Sequence, residues 1–107
     1  MKRNLQSIIF TLSTRPQMIT RYDHIFGLSF FISGYFYGKD NIELEPIEVH
    51  FRDNFHFWVK SKYDVGLSQS WANIIYFYEG GGDVAINKFL ELFKEFSDDF
   101  HRSISSP

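Results

Sequence analysis

PIEVHFRDNFHFWVKSK, residues 46–62, is the stretch that decides the fold. Pro46 suits the first position of a helix, where its missing N–H would have no intrahelical partner. Beyond it, Ile47, Phe51, Phe55, Trp58, Val59 and Lys62 recur at three- and four-residue spacings, the period of a helix. The same stretch also alternates. Val49, Phe51, Phe55, Phe57 and Val59 are apolar at every second residue, broken only by Asp53, as on a strand with one buried face. Strands usually run about 5–6 residues, and this segment continues toward Gly66 without a break. Length therefore favours helix and an all-α protein. A strand over residues 47–59 would make it α+β instead.

Outward from this segment the same spacing test gives more helices. Leu5, Ile8, Ile9 and Leu12 fall at i, i+3, i+4 and i+7, and Arg15-Pro16 ends that run, because a residue before proline is pushed out of the α region. The second segment runs from Asp23, a suitable N-cap, to Gly38, a suitable stop. Ile25, Leu28, Ile32, Tyr35 and Phe36 form one stripe on it; Gly27, Phe31, Gly34 and Gly38 form another. Each interior glycine costs about 1 kcal/mol relative to alanine. Close approach of a neighbouring helix is the expected compensation, with a kink as the competing account. On the other side, Ser68 is the expected cap of a fourth helix carrying Trp71, Ile74, Ile75 and Tyr78. Gly80-Gly81-Gly82 breaks it, and Asp83 can cap a fifth. There Ile86, Phe89, Leu90, Phe93, Phe96 and Phe100 make the inner face, against Glu91, Lys94, Glu95, Asp98 and Asp99 outside. Ser103–Pro107 should fray. The expectation is one domain over residues 1–107, an all-α bundle of about five helices, with the nearly uncharged second helix at its centre.

Aromatic side chains are the other strong signal: 13 Phe, 6 Tyr and 2 Trp in 107 residues, which is enough ring surface to offset the entropy of ordering the chain. Net charge is −2, but it is unevenly placed. Residues 1–39 hold five bases and one acid, whereas residues 40–107 hold six bases and twelve acids. An acidic body suits a basic partner and is a poor match for phosphate backbones. Direct nucleic-acid binding is therefore not expected. The absence of Cys removes disulfides, Cys-zinc sites and thiol nucleophiles. The start, Met1-Lys2-Arg3, is basic, but Leu5–Leu12 is interrupted by Gln6, Ser7 and Thr11 and no small-residue cleavage site follows, so no secretory leader is expected. The apolar run Ile25–Tyr37 is too short for a bilayer that needs about 20 residues. A soluble cytoplasmic protein with no membrane association is the expectation.

Catalytic chemistry is hard to assemble from this sequence. His24, His50, His56 and His101 form no zinc-type pair with one another. His50 and Asp53, one turn apart, could be a general base and its orienter, but a surface pair fits as well. Gly80-Gly81-Gly82-Asp83 lacks the Lys-Ser/Thr of a phosphate loop. Asp98 and Asp99 are adjacent, so on a helix they diverge by about 100° and cannot share one substrate atom. No catalytic residue, metal ligand or cofactor site is expected.

Five landmarks taken together resemble a known family. They are Arg15-Pro16-x-Met18-Ile19, Leu28-x-x-Phe31-Ile32-x-Gly34-Tyr35, Phe55-x-x-Trp58-Val59-x-x-x-Tyr63, Ser70-Trp71-x-x-Ile74-Ile75 and Ala85-x-x-x-Phe89-x-x-Leu92-x-x-Glu95-Phe96. In this order, over residues 5–100, the chain resembles the immunity proteins of contact-dependent growth inhibition and related bacterial polymorphic toxin systems. It departs from the family pattern after Met18, where Ile19-Thr20-Arg21 stands in place of an aromatic and a glycine. The resemblance implies a non-enzymatic inhibitor that binds the C-terminal domain of a cognate toxin, commonly a nuclease and by preference an RNase, and occludes its basic cleft. The candidate contacts are Glu43, Glu45 and Glu48 before and on the third helix, and Asp98 and Asp99 on the fifth. Tyr76 or Tyr78 would be an aromatic anchor. Two other classes stay open: a regulatory or apolar-ligand-binding helical module, and a hydrolase using His50 or His101.

Overall fold

The computed structural model describes residues 4–14, 25–66 and 69–105. Among these residues five α-helices form the body: α1 Leu5–Thr14, α2 Ile25–Tyr37, α3 Pro46–Tyr63, α4 Trp71–Glu79 and α5 Gly82–Ser105. A short 3-10 turn, Asn41–Glu43, joins α2 to α3, and no strand occurs among the described residues. The protein is an all-α bundle.

Residues 46–62 resolve as helix because one four-residue spacing captures the core. Ile47, Phe51, Phe55 and Val59 are buried, whereas Phe57, needed by the strand pattern, is 63% exposed. Asp64 closes α3 in the left-handed region (φ 54°), and the Val65 N–H bonds back to the Lys60 carbonyl at 3.0 Å. Lys60 and Lys62 in the last turn suit the negative end of the helix dipole.

The centre of the bundle is α5, which packs against each of the other four helices. Ala85, Ile86, Phe89, Leu92, Phe93 and Phe96 are buried along it. Phe55 of α3 sits among the rings of Phe51, Trp71, Phe89 and Phe96, at centroid distances of 4.5 to 5.8 Å. Edge-to-face pairs predominate in this cluster, each adding about 0.5–1.5 kcal/mol beyond burial.

Several expectations are corrected. The central helix is not α2: Ile25, Leu28 and Ile32 are buried, but Phe30 and Tyr37 are 76% and 94% exposed. Its glycines do not receive a neighbouring helix among the described residues. Gly27 and Gly34 are both exposed, and a Cβ at Gly34 would meet nothing within 4 Å. The cap of α4 is Ser70, whose hydroxyl accepts from the Asn73 N–H at 3.3 Å; Ser68 lies outside the described residues, as does Asp23. The α4–α5 turn uses Gly80 (φ 99°) and Gly82 (φ 61°), values that favour glycine. Asp83 stands inside the first turn of α5 rather than capping it. Helix α5 continues to Ser105, so Ser103 and Ile104 are helical, not frayed.

Candidate functional site

The acidic residues expected at a partner surface are mostly engaged within the fold. Glu48 is wholly buried and is withdrawn as a contact residue. Its carboxylate gathers three donors: the Leu5 N–H at 2.8 Å, the Glu45 N–H at 2.8 Å and the Tyr35 hydroxyl. The sequence reason is a capping arrangement. Glu45 precedes α3 and Glu48 is its third residue, so the Glu48 side chain reaches back to the Glu45 N–H. The same carboxylate also meets the start of α1, where Asn4 caps the Ser7 N–H at 2.8 Å. One buried acid thus serves the positive ends of two helices. Burial, followed by the bond to Glu48, pushes the Tyr35 hydroxyl well above the ordinary tyrosine value.

Glu43 is exposed and accepts from the Asp40 N–H at 3.0 Å. Glu45 is half-buried and accepts from the Asn4 amide at 2.9 Å. On α5, Asp98 pairs with Lys94 at 2.9 Å, and Asp99 pairs with Arg102 at 3.3 Å while accepting from the Trp58 indole. The hydrogen bond and charge of Lys94 hold Asp98 below the usual carboxylate range. Locally, then, Asp98 and Asp99 do not make an acidic field.

An acid-rimmed aromatic surface forms elsewhere, where the ends of α3 and α4 meet the side of α5. Tyr76, Phe77 and Tyr78 are 48%, 76% and 52% exposed. Tyr78 stacks on Tyr63 (5.2 Å, 23°) and meets Phe77 edge-on at 5.0 Å. Tyr76 lies against Phe26 at 5.3 Å. The Tyr63 hydroxyl donates to Glu79 at 2.8 Å. Burial comes first, then that bond, then the charges of Glu79, Glu91 and Glu95, in raising the Tyr63 hydroxyl above its ordinary value. The charges of all three acids thus bear on one hydroxyl; among the described residues Glu95 forms an ion pair, with Lys62 at 3.3 Å. Val65, Gln69, Ile74, Phe77 and Tyr78 line an open cavity of about 230 Å³ beside the rings.

The structure does not bring Tyr76 and Tyr78 together with Glu43 and Glu45. Tyr78 rests on the last residue of α3, and Glu45 precedes the first. Eighteen helical residues separate them, roughly 27 Å at 1.5 Å per residue. Tyr63, Phe77, Glu79 and Glu91 were missed by sequence reasoning. Tyr63 entered only as a landmark of the family resemblance, and nothing local to Glu91 marks it as a neighbour of Tyr63.

The described histidines, His50, His56 and His101, do not come together as a pair, and His24 lies outside the described residues. The His50 ring lies 4.9 Å from both Phe96 and Phe100, and its Nδ1 contacts Asn54 at 3.1 Å. Asp53 pairs with Arg52 at 2.9 Å instead. The Nδ1 atom of His101 meets the Ser97 carbonyl at 2.8 Å. Burial, with Lys60 nearby, lowers the His56 pKa. Among the described residues no group of three or more His, Asp or Glu is placed to hold a metal ion, and no helix is long and apolar enough to cross a membrane. No protein-family model, curated protein or solved structure matches the chain.

Proposed function

We propose that this protein is a binding inhibitor that neutralises a basic toxin domain, of the immunity-protein kind, using the surface around Tyr63, Phe77 and Tyr78. The observation that carries this reading is the exposure of Phe77 and Tyr78 at the end of a packed helix, where Tyr78 stacks on Tyr63 and the Tyr63 hydroxyl donates to Glu79. Exposed tyrosine and phenylalanine supply rigid contact area, and interface energy concentrates in a few such anchors. The acids around them steer a cationic cleft into place and disfavour nucleic acid itself. The adjacent 230 Å³ cavity is the right kind of recess for one long side chain of the partner. An arginine or lysine there would lay its stem on Val65 and Ile74 and its charge over the Tyr78 ring. The partner class is a nuclease, an RNase by preference, because its substrate cleft must be basic. Occlusion requires no catalytic residue, and the protein acts in the cytoplasm where such a toxin would act.

The competing reading, an apolar-ligand module, has one feature in its favour: a cleft lined by Phe36, Phe51, Phe55, Trp71, Arg52 and His56. Its volume is about 260 Å³, under the roughly 300–1,000 Å³ typical of ligand sites, so the docking surface is the stronger reading.

The test is co-expression with the C-terminal toxin domain encoded beside this gene, followed by binding kinetics across a salt series. Phe77→Asp should weaken binding by about 30-fold or more, mainly through the off-rate. Reversing Glu79 and Glu91 to Lys should slow association more than reversing Glu43 and Glu45 does. An association rate indifferent to salt and to all four reversals, with Phe77→Asp binding normally, would reject the proposal.

A further inference from the structure

A second surface, on α2, is built differently from the one on α4. The buried side of α2 is Ile25, Leu28 and Ile32. At 100° per residue, Gly27, Phe30, Phe31, Gly34 and Tyr37 fall within about 120° of one another on the opposite side. Phe30, Phe31 and Tyr37 are 76%, 41% and 94% exposed, and both glycines are exposed as well. Over Ile25–Tyr37 there is no Asp, Glu, Lys or Arg. The space above Gly34 is open, with nothing within 4 Å of a Cβ placed there. No described helix of this chain covers this side, although two interior glycines weaken the helix that carries it.

We infer that this outer face of α2 is the contact between two copies of this chain, packed about a two-fold axis. Three observations select a second copy over another partner. First, a two-fold contact sets a face against itself, so any net charge on it would be repelled by its own image. The α2 face carries none, whereas the α4 surface, with Glu79, Glu91 and Glu95, would repel a second copy. Second, the face holds both halves of a helix–helix contact. Phe30 and Tyr37, seven residues apart, form a ridge, and Gly27 and Gly34, also seven apart, form a trough beside it. The rings of one copy fit the trough of the other, and the absent Cβ atoms let the backbones approach. Third, the area fits a weak self-association. At roughly 200 Å² per aromatic side chain, the three rings offer about 400 Å² per copy. The pair reaches about 800 Å² before the glycine backbone is counted, below the roughly 1,200 Å² of stable interfaces and in the range of transient ones. The dimer is therefore reversible and concentration-dependent. It leaves the α4 surface free on each copy, and it stands whether or not that surface binds a toxin.

Sedimentation of the full chain over a micromolar concentration series tests this. Wild type should pass from monomer to dimer as concentration rises. Gly34→Leu fills the trough, yet finds open space in the monomer; Phe30→Glu places a charge against its own image. Each should weaken dimerisation by roughly tenfold or more. Gly34→Ala serves as the folding control, because alanine favours the helix and should raise the unfolding midpoint. Wild type that stays monomeric throughout would overturn the inference, and doing so while co-floating with phosphatidylcholine vesicles would assign the face to a lipid surface instead. A dimer unchanged in both Gly34→Leu and Phe30→Glu, or one broken by Phe77→Asp alone, would overturn it equally, by placing the contact elsewhere.

Discussion

Glu48→Ala should be the most damaging single polar substitution in this protein. The side chain is fully buried and receives the N–H groups of Leu5 and Glu45 and the hydroxyl of Tyr35. A buried donor left unmatched costs about 1–3 kcal/mol. The Leu5 N–H is buried, so it falls at the upper end, while the part-buried Glu45 N–H and Tyr35 hydroxyl fall at the lower. Together they give about 5 kcal/mol, before any cavity is counted. Domains of this size have only about 5–15 kcal/mol in total, and each kcal/mol is worth about 4–8 °C in midpoint. Urea and thermal unfolding, followed by circular dichroism, should show a fall on the order of 20 °C. Glu48→Gln keeps the shape and sets one N–H against another, and should cost about 1–2 kcal/mol; Tyr35→Phe should cost about 1 kcal/mol. The two should be non-additive in a double-mutant cycle, since they share a bond. A Glu48→Ala protein within about 1 kcal/mol of wild type would refute the reasoning, because it would mean that water replaces the carboxylate without loss.

Two further outcomes follow from packing and protonation. Phe55→Ala should cost about 3–5 kcal/mol and Phe57→Ala under about 0.5 kcal/mol, because the first ring is buried among four others and the second faces solvent; equal losses in urea unfolding would contradict the helical register of α3. Tyr35 and Tyr63 both have hydroxyls raised above the ordinary value of 10.0. The unfolded chain therefore releases these protons first, so their contribution is intact below pH 10 and is lost as pH rises beyond it. Unfolding midpoints against pH should fall in the alkaline range and flatten in the Tyr35→Phe, Tyr63→Phe double variant. A phenolate titration in which all six tyrosines ionise together would count against both environments.

How far the sequence could be read depended on what each signal measured. Periodicity reports which residues share a face, and it placed Phe89, Phe93 and Phe96 on the inside of α5 and Ile47, Phe51, Phe55 and Val59 inside α3. It does not report what covers the opposite face. On α2 nearly every position is apolar or small, so the amphipathic contrast that orients a helix is missing, and its glycines were assigned to an internal contact that is absent among the described residues. Glu48 was taken for surface charge because the spacing Glu45-x-x-Glu48 reads equally as two exposed acids or as a cap; what buries the second is the arrival of α1, more than forty residues earlier in the chain. The candidate surface was half legible. Tyr76 and Tyr78 were named from their helix, but the acids beside Tyr63 come together only through the packing of α3 and α4 on α5.

The carboxylate of Glu48 also sets an order of events in folding. Helices α3, α4 and α5 follow one another through short links and pack among themselves, so their contacts close cheaply and early. The bond from Leu5 to Glu48 spans 43 residues and can form only on a body already in place. A contact made after the rate-limiting step governs how slowly the native state is left and has little influence on how fast it is reached. Glu48 is then a latch on lifetime: Glu48→Gln should accelerate unfolding with refolding unchanged, and α1 should be the first helix that a protease finds detached.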